Sequence, residues 1–314
     1  MLCPGGCPKS PVEIRSFRRD DREQLTALVN AHVEAVVPGV SVSVNSVLSQ
    51  LEREPGEFIV DPWVVQRATL VAEQRGRASA AAHLLRYGEG AEVGEAYRGA
   101  GEIRWLICWP AAPFWPDAIA AGDAVAAASV AWLARSGATR LYADGALPAP
   151  GVYGLPDQWP HVHGILERAG FAPGPRAEIV FLAAVGALAR PAAPVAGLTV
   201  ARTLGINGTR STALLEGRAL GYVEVGSRVV DGHIVRQVGW ADIGNLEVEV
   251  PHRRRGIATW LLGRAAKWLL LGRTDRLLAY AGAEEEEAGA FLRRAAFREL
   301  TRTQRGWERP TSAA

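Results

Sequence analysis

The sequence predicts an α/β protein of two related domains, each a mixed, mostly antiparallel sheet flanked by helices. Its 314 residues exceed the length of one average domain. Strand-like runs alternate with segments that have the apolar spacing of helices. The halves also resemble each other, since AWLARSGATRLYADG (131–145) aligns with KWLLLGRTDRLLAYAG (267–282). Trp132 then matches Trp268 and Arg140 matches Arg276, which favours duplication over chance similarity of two helices.

We expect the first domain to span residues 12–185, after a disordered tail at 1–11. VEIRSF (12–17) predicts a strand, and Arg18 to about Val36 has helical spacing with acidic residues suited to a helix N-terminus. A short helix is expected in NSVLSQLERE, followed by strands at ATLVAEQ, ASAAAHLLRYG and GEIRWLICWP. A helix from about Gly122 to Ser136, a strand at RLYADG, a helix at HGILERAGF and a strand at AEIVFLAAV complete this half.

The segment GALARPAAPVAG (186–197) predicts a linker because it is rich in Ala, Pro and Gly. The second domain is expected at 198–310. Strands are expected there at GLTVARTLG, TRSTALLEG, RALGYVEVG and DIGNLEVEV, then a helix after Gly256. The strand RLLAYAG, the helix AGAFLRRAAF and a closing strand region follow.

The composition excludes several classes of protein. A hydrophobic fraction of 48% with 22% charged residues is that of a soluble globular protein. The 35 basic and 33 acidic residues give a net charge of +2, too balanced for a nucleic-acid or membrane surface. The cysteines form no disulfide framework, the start has no apolar signal region, and no stretch reaches the length of a membrane span. We therefore expect a cytoplasmic protein.

No metal site is expected. Cys3 and Cys7 could form half of one, but a disordered tail is the favoured interpretation. His161 and His163 have no further His or Cys spaced to complete a zinc site.

The segment GVYGLPDQWPHVHG occurs only in the first half and is dense in turn formers and aromatic residues. Tyr153, Asp157 and Trp159 could line an acceptor pocket. We favour a loop packed over the sheet.

The stretch VPHRRRGIA (250–258) places three arginines and two small residues at the start of a predicted helix. Several backbone N–H groups converge at a helix N-terminus, which carries about half a positive charge and suits an anion. Gly256 and Ala258 leave room for a ligand to approach the backbone. Without an anion the positive charge of the arginines would oppose the helix dipole. The alternative to an anion site is a basic turn exposed to solvent.

These residues resemble the GCN5-related N-acetyltransferase (GNAT) family. Arg253-Arg254-Arg255-Gly256-Ile257-Ala258 matches its loop signature, Gln/Arg-x-x-Gly-x-Gly/Ala, and the order of strands and helices agrees over both halves. The resemblance implies acetyl-CoA as co-substrate, its pyrophosphate held by the loop and its pantetheine lying between splayed fourth and fifth strands. The residues it assigns to acetyl-CoA are Val248 and Val250, through their backbones, and Arg253, Arg254, Arg255, Gly256, Ile257, Ala258 and Thr259.

The resemblance implies a carboxylate base at Asp242, eleven residues before the signature. Glu247 and Glu249 lie further along the same strand, opposite its apolar face, and serve either as a base or acceptor site or as structural salt bridges. The tyrosine that commonly protonates the thiolate is replaced by Leu292, and by Leu166 in the first half. The usual Asn at the last helix start is replaced by Glu285.

The two halves are expected to have different functions, with the cofactor bound by the second domain. Asp117, Ala120 and Gly122 align with Arg253, Gly256 and Ala258, and an aspartate would repel a pyrophosphate, so the first domain is interpreted as degenerate for CoA. The second domain lacks the two helices that the family places after the first strand.

Tandem members of the family such as mycothiol synthase resemble this organisation. The function expected is acetyl transfer to a primary amine of a small molecule or protein, by a possible homodimer. The alternative is a non-catalytic acyl-CoA sensor or interaction scaffold.

Overall fold

The structure, a computed structural model, describes residues 11–53, 61–112, 117–149, 151–226 and 239–310. It divides into two compact units, each with its own sheet. The first unit contains Met1–Pro148, Val152–Pro175 and Gln304–Ala314, and the second contains Ala149–Gly151 and Arg176–Thr303. The disordered tail expected at 1–11, with both of its cysteines, lies outside the described residues except for its last position.

The elements of the first half largely follow the sequence pattern. In chain order they are β1 (Glu13–Ser16), α1 (Arg22–Val36), α2 (Val44–Leu51), β2 (Val64–Gln74), β3 (Arg77–Tyr87), β4 (Ala100–Cys108), α3 (Ala118–Arg135), β5 (Arg140–Ala143), the two-residue β6 (Leu155–Pro156) and α4 (Pro160–Arg168). The sheet of the first unit has the order β1-β2-β3-β4-β5, with β4 and β5 parallel.

The second half repeats this order without its first helices. The strand β7 (Ala177–Ala184) ends the first half. The elements of the second half are, in chain order, β8 (Thr199–Gly205), β9 (Gly208–Leu215), β10 (Arg218–Gly226), β11 (Trp240–Val248), α5 (Ile257–Leu271), β12 (Arg276–Gly282), α6 (Glu286–Arg294), β13 (Arg298–Gln304) and β14 (Trp307–Arg309). The sheet of the second unit contains β13-β7-β12-β11-β10-β9-β8 in that order, with β11 and β12 parallel. The helices α3 and α5 end 136 residues apart, as the sequence repeat predicts.

The units differ from the expected domain boundaries at their last strands. β7, at the end of the expected N-terminal domain, pairs with β12 of the second unit over Glu178–Ala184. β14, at the end of the expected C-terminal domain, pairs with β5 of the first unit. Each half therefore supplies a strand to the other unit's sheet. Sequence alternation cannot show this, because a strand has the same pattern whichever sheet it joins.

The two helices expected to be missing from the second half are absent from the structure. Only residues 206–207 separate β8 from β9, whereas α1 and α2 separate β1 from β2. One face of β10 and β11 therefore carries exposed polar side chains, among them Asn245 and Glu247. The opposite face packs on α5 through Val223, Leu246 and Val248.

The expected linker at 186–197 is packed against α5. A Cβ atom on Gly263 would lie 2.6 Å from the carbonyl oxygen of Ala189, so the two backbones are in close contact. A Cβ atom on Gly256 would lie 3.4 Å from the Cβ of Pro194. This segment is thus part of the second unit and contacts the start of α5.

The helix α3 corrects the expectation that no stretch reaches the length of a membrane span. Among the described helices it alone is long and apolar enough to cross a membrane by those criteria. It packs on β2, β3 and β4, and Ala121, Val125 and Leu133 are fully buried. One face of α3 therefore packs on the sheet of the first unit.

Candidate active site

The parallel pair β11 and β12 separates partway along its length. The strands are paired at Trp240–Arg276, Ala241–Leu277 and Asp242–Leu278, and within residues 239–310 that pairing goes no further. β11 continues for six residues to Val248, paired only with β10. The two strands therefore form a wedge with its vertex at Asp242, which agrees with the splay that the family resemblance implies.

The edge of β11 that faces the wedge offers backbone groups to a ligand. An irregularity in the β10–β11 register leaves Gly244 as an extra residue just beyond the vertex. The Glu249 N–H donates to the Leu220 carbonyl on β10. Because successive residues of a strand direct their backbone groups to opposite sides, the N–H and carbonyl of Val248 point away from β10 and toward the wedge. A ligand lying in the wedge would pair with this edge as a strand does.

The loop between β11 and α5 has the geometry of an anion site. Arg254 and Gly256 both have positive φ, at 61° and 81°, on either side of Arg255. Such alternation turns successive N–H groups toward one concavity, and the first N–H groups of a helix lack partners within it. A left-handed conformation at a non-glycine residue is uncommon and concentrates at functional sites. The loop thus presents donors where α5 begins.

The three arginines of the loop are exposed, and one of them also contacts the sheet. Arg253 Nε donates to the carbonyl oxygen of Val248 at 2.9 Å. That oxygen is one of the groups expected to bind pantetheine, so part of the β11 edge is already used by the loop. Val250, the other expected backbone ligand, begins a 3-10 turn over Val250–His252 and is 71% exposed.

Asp242 lies at the vertex with a carboxyl suited to proton transfer at neutral pH. It is opposite Gly226 on β10 and Leu278 on β12. Burial raises the pKa of this carboxyl to about 7, against an opposing effect of a hydrogen bond from its own backbone N–H. About 20 Å of extended strand separates it from Val248, so the loop can hold a ligand but cannot take part in chemistry at Asp242.

The two glutamates of this segment occupy different environments. Glu247 is exposed on the polar face, opposite Tyr222 on β10. Glu249 lies just past the strand and pairs with Arg218 at 3.0 Å. Its second neighbour is His252 at 3.9 Å. These contacts fit the salt-bridge interpretation for Glu249, while the exposed Glu247 carboxylate accepts a hydrogen bond from the Tyr222 hydroxyl.

The last helix supplies no proton donor at the position where the family commonly has a tyrosine. Leu292 is buried in the hydrophobic core of the second unit, together with Phe297. Leu166 is equally buried in α4 of the first unit. Glu285 precedes α6, and its carboxylate accepts a hydrogen bond from the Gly282 N–H at 2.8 Å. Its role is therefore to fix the turn before that helix.

The first unit has a carboxylate at the position equivalent to Asp242, but its parallel strands stay bonded beyond it. Glu102 pairs with Tyr142 on β5 and lies two residues before the extra residue Arg104, as Asp242 lies two residues before Gly244. The pairing continues to Ile103–Ala143; the Asp144 N–H then donates to the Ile103 carbonyl at 2.9 Å, and the Ala146 N–H donates to the Arg104 carbonyl at 3.1 Å. The wedge that opens after Asp242 is therefore filled after Glu102 by the chain itself.

The start of α3 differs from that of α5 in its position and in its packing. The helix follows Asp117 directly and so begins one turn earlier than α5 relative to the repeat. A Cβ atom on Gly122 would lie 2.4 Å from Ile165 of α4, and Asp123 pairs with Arg168 of α4 at 2.8 Å. Helix packing thus occupies the place where the second unit has its loop.

Sequence reasoning missed Glu102, although a signal was present. Gly101-Glu102-Ile103 matches Ala241-Asp242-Ile243 in residue type, one position after each parallel pair begins. Alignment backwards from the helices hides this match because the connections from strand to helix differ in length between the halves.

The aromatic loop of the first unit is mainly structural. Trp159 is fully buried and donates to the His32 carbonyl at 3.1 Å, whereas Asp157 is exposed. His161 lies 3.1 Å from His32 between ring nitrogens. In the part of the chain that the structure describes, no group of three or more His, Cys, Asp or Glu side chains could hold a metal ion.

Comparison with solved structures places this architecture among GNAT folds. A tandem GNAT protein from the clavulanic acid biosynthesis pathway is similar with a TM-score of 0.66 at 14% identity, over 96% of this chain and 100% of that one. A GCN5-related N-acetyltransferase from Sphaerobacter thermophilus is similar with a TM-score of 0.61 at 15% identity, over 96% of this chain and 98% of that one.

The third similar structure is the glucosamine N-acetyltransferase region of a fungal multi-domain β-N-acetylglucosaminidase. Its TM-score is 0.64 at 12% identity, and the match covers 95% of this chain but 38% of that chain. The sequence matches no protein-family model, and no curated protein is similar to it. The likeness is therefore one of architecture: the chain has the fold of the tandem GCN5-related N-acetyltransferases.

Proposed function

We propose that the chain is an acetyl-CoA-dependent N-acetyltransferase whose second unit transfers an acetyl group to a primary amine. The observation that carries this proposal is the wedge between β11 and β12, which has a titratable carboxyl at its vertex and an anion-binding loop at its open end. A substrate that joins an acyl thioester to a pyrophosphate through an extended arm matches that layout. The first unit, with its wedge filled, is proposed to bind no acetyl-CoA.

The residues present fit such a substrate. The N–H groups from Gly256 to Thr259 and the arginines 253–255 would hold the pyrophosphate, since donors and positive charge converge there. The free edge of β11 would pair with the amide groups of the arm. Gly256 is needed at its position because its φ of 81° strains any side chain.

Asp242 would move the proton in both halves of the reaction. Acetyl-CoA supplies an activated acetyl thioester. The amine nitrogen forms a bond to the acetyl carbon, the C–S bond breaks, and the amine proton passes to the Asp242 carboxylate. A carboxyl with a pKa of about 7 can then give that proton to the thiolate, since thiols ordinarily titrate near 8.5. This route accounts for a leucine at position 292.

The acceptor would approach from the exposed polar face of β10 and β11. Glu247 and Asn245 are exposed there, and the Asn245 amide donates to the Tyr222 hydroxyl at 2.7 Å. A carboxylate on this face favours an amine that arrives protonated. Such an ammonium group would first release one proton to solvent, which leaves the neutral amine that attacks the thioester. Because no helices intervene between β8 and β9 to enclose the face, both small amines and protein amines are compatible with it. The balanced net charge and the core position of α3 support a cytoplasmic enzyme.

The experiment that tests this function measures CoA release from acetyl-CoA in the presence of pooled primary amines. We expect amine-dependent release well above hydrolysis, lowered at least a hundredfold by Asp242→Asn, because general-base catalysis contributes that much. Glu249→Gln is the matched control and should retain activity, since its partner is Arg218.

The alternative of an acyl-CoA sensor or scaffold is favoured by one observation, the buried Leu292 in place of an acid. Tight acetyl-CoA binding without release by any amine pool would identify the protein as such a sensor.

A further inference from the structure

The turn between β8 and β9 lies over the polar face of the second unit's sheet. We call its residues, 205–208, the hairpin tip. The carboxylate of Glu224 on β10 anchors the tip, because it accepts hydrogen bonds from the Asn207 N–H at 3.3 Å and from the Ile206 N–H. Glu224 is opposite Asn245 and so shares the polar face with it. It is only 1% exposed, which agrees with a tip that covers it.

Glycines allow the hairpin tip to reach the vertex of the wedge. A Cβ atom on Gly226 would lie 2.5 Å from the Asn207 carbonyl oxygen, and one on Gly244 would lie 2.3 Å from the Asn207 Cβ. Both distances are too short for a side chain, so the tip can take this place only against glycine. Gly226 is the β10 partner of Asp242, and Gly244 is the extra residue just beyond that vertex. The tip therefore ends beside the carboxyl proposed as the base.

Asn207 and Asp242 lie on the same face of the sheet. Ala241 and Ile243 are on the side of β11 that packs on α5, so the Asp242 side chain between them is on the polar side. A Cβ atom on Gly226 would lie 3.7 Å from Asp242 Oδ1, and the Asn207 carbonyl lies against that same side of Gly226. Asn207 and Asp242 are thus neighbours across this glycine.

Both side chains have hydrogen-bonding groups that a substrate can use. Asn207 is exposed, and within the described part of the chain no group bonds its side-chain amide. The Asp242 carboxylate accepts a hydrogen bond from its own backbone N–H, and no other described residue donates to it. Gly244, against which the Asn207 side chain lies, is exposed as well, so this place is open to solvent. An amide offers an oxygen that accepts hydrogen bonds and an NH2 that donates them.

A neutral primary amine needs two acceptors to fix the direction of its attack. Its nitrogen has two N–H bonds and one lone pair, and the lone pair forms the new bond to the acetyl carbon. The N–H that is bonded to the Asp242 carboxylate carries the proton that this base takes up. An acceptor for the other N–H fixes the remaining rotation of the nitrogen, so that the lone pair faces the thioester.

We propose that Asn207 binds the acceptor, with its amide oxygen accepting one N–H of the primary amine whose other N–H is bonded to Asp242. The inference rests on the proposed function and deepens it, because it makes the second unit selective for primary over secondary amines. A secondary amine has one N–H and would place an alkyl group against the Asn207 amide. The hairpin tip is then one wall of the acceptor site.

The test compares methylamine with dimethylamine as acceptors in the CoA-release assay, after subtraction of release without enzyme. These amines are too small to reach beyond the vertex, so their turnover reports the two N–H acceptors and not the rest of the acceptor site. We expect Asn207→Ala to lower kcat/KM for methylamine about tenfold, through the loss of one hydrogen bond, and to leave kcat/KM for dimethylamine unchanged. Each amine is compared with itself, so its intrinsic reactivity cancels.

The matched control is Leu204→Ala, which is 92% exposed in the strand that leads into the tip and should keep the parent's ratio of the two kcat/KM values. Asn207→Ala should bind acetyl-CoA as the parent does, because the Asn207 backbone and not its side chain is bonded to Glu224. An unchanged ratio in Asn207→Ala, or equal lowering with both amines, would overturn the inference.

The assay also separates this inference from the proposed function. Release with pooled amines but not with methylamine would overturn the inference alone, because two acceptors at the vertex are enough to hold the smallest primary amine. Absence of release by the parent with methylamine and with every pooled amine would refute the proposed function, and the role of Asn207 with it.

Discussion

Replacing Asp242 with asparagine should stabilise the protein while it removes activity. The carboxyl has a pKa of about 7 in the folded chain against an ordinary value of 3.8. A raised pKa means that the neutral acid is favoured by folding, so its contribution to stability is complete below pH 3.8. This contribution to stability is lost as the pH rises through 7. Three pKa units correspond to about 4 kcal/mol at most, at about 1.4 kcal/mol per unit.

The measurable part of this effect falls between pH 5 and pH 8.5. Between these two pH values, linkage predicts that the free energy of unfolding of the wild type falls by about 2–3 kcal/mol relative to that of Asp242→Asn, whose neutral amide does not titrate. Denaturant unfolding at both pH values gives the two free-energy differences, and taking the variant minus the wild type cancels the titration of every other group. Glu247→Gln, an exposed change on the same strand, serves as the control for replacing a carboxylate with an amide.

A difference between Asp242→Asn and wild type that stays constant from pH 5 to pH 8.5 would refute the reasoning. It would mean that the vertex carboxyl titrates in the folded chain as it does in the unfolded chain. The proposed shuttling of a proton at neutral pH would then have no physical basis. The expected result also predicts that amine-dependent CoA release rises with pH through about 7, because the ionised carboxylate is the base.

Three further predictions concern the second unit. Gly263→Ala should cost about 1–2 kcal/mol, because its Cβ would lie 2.6 Å from the Ala189 carbonyl oxygen, whereas Gly186→Ala, with nothing within 4 Å, should be neutral in the same unfolding assay. Gly256→Val should lower acetyl-CoA affinity in a binding titration and cost about 1–2 kcal/mol of stability, because a branched side chain is strained at a φ of 81°. Arg218→Ala, which removes an exposed ion pair, should change the unfolding free energy by less than about 1 kcal/mol and leave CoA release near wild type; a loss of turnover would give that pair a catalytic role.

Much of the fold follows from local sequence because the signals are local. Apolar or alternating runs bounded by turn residues identify most of the strands, and the spacing of Trp132 and Trp268 indicates the duplication. The short β8–β9 connection is visible as a strand pattern that restarts without a helical segment between. The arginine loop is equally visible, since a glycine that follows three arginines at a helix start is a local feature.

The rest of the architecture depends on tertiary contacts that no local pattern encodes. The exchange of β7 and β14 between sheets depends on where the chain runs after α4 and α6. The packing of residues 186–197 on α5 depends on a close approach at Gly263, which composition presents as an ordinary linker. The vertex itself is fixed by where two strands stop pairing, so the raised pKa of Asp242 could not be derived from its neighbours in sequence.

The central claim is that one acetyl-CoA site exists per chain and that it lies in the second unit. Calorimetric titration of the purified chain with acetyl-CoA tests this most directly, because it gives stoichiometry as well as affinity. The account predicts one site, lost in Arg253→Glu and kept in Arg273→Glu, an exposed arginine just past the far end of α5. Two sites per chain, or one site that survives Arg253→Glu, would contradict it.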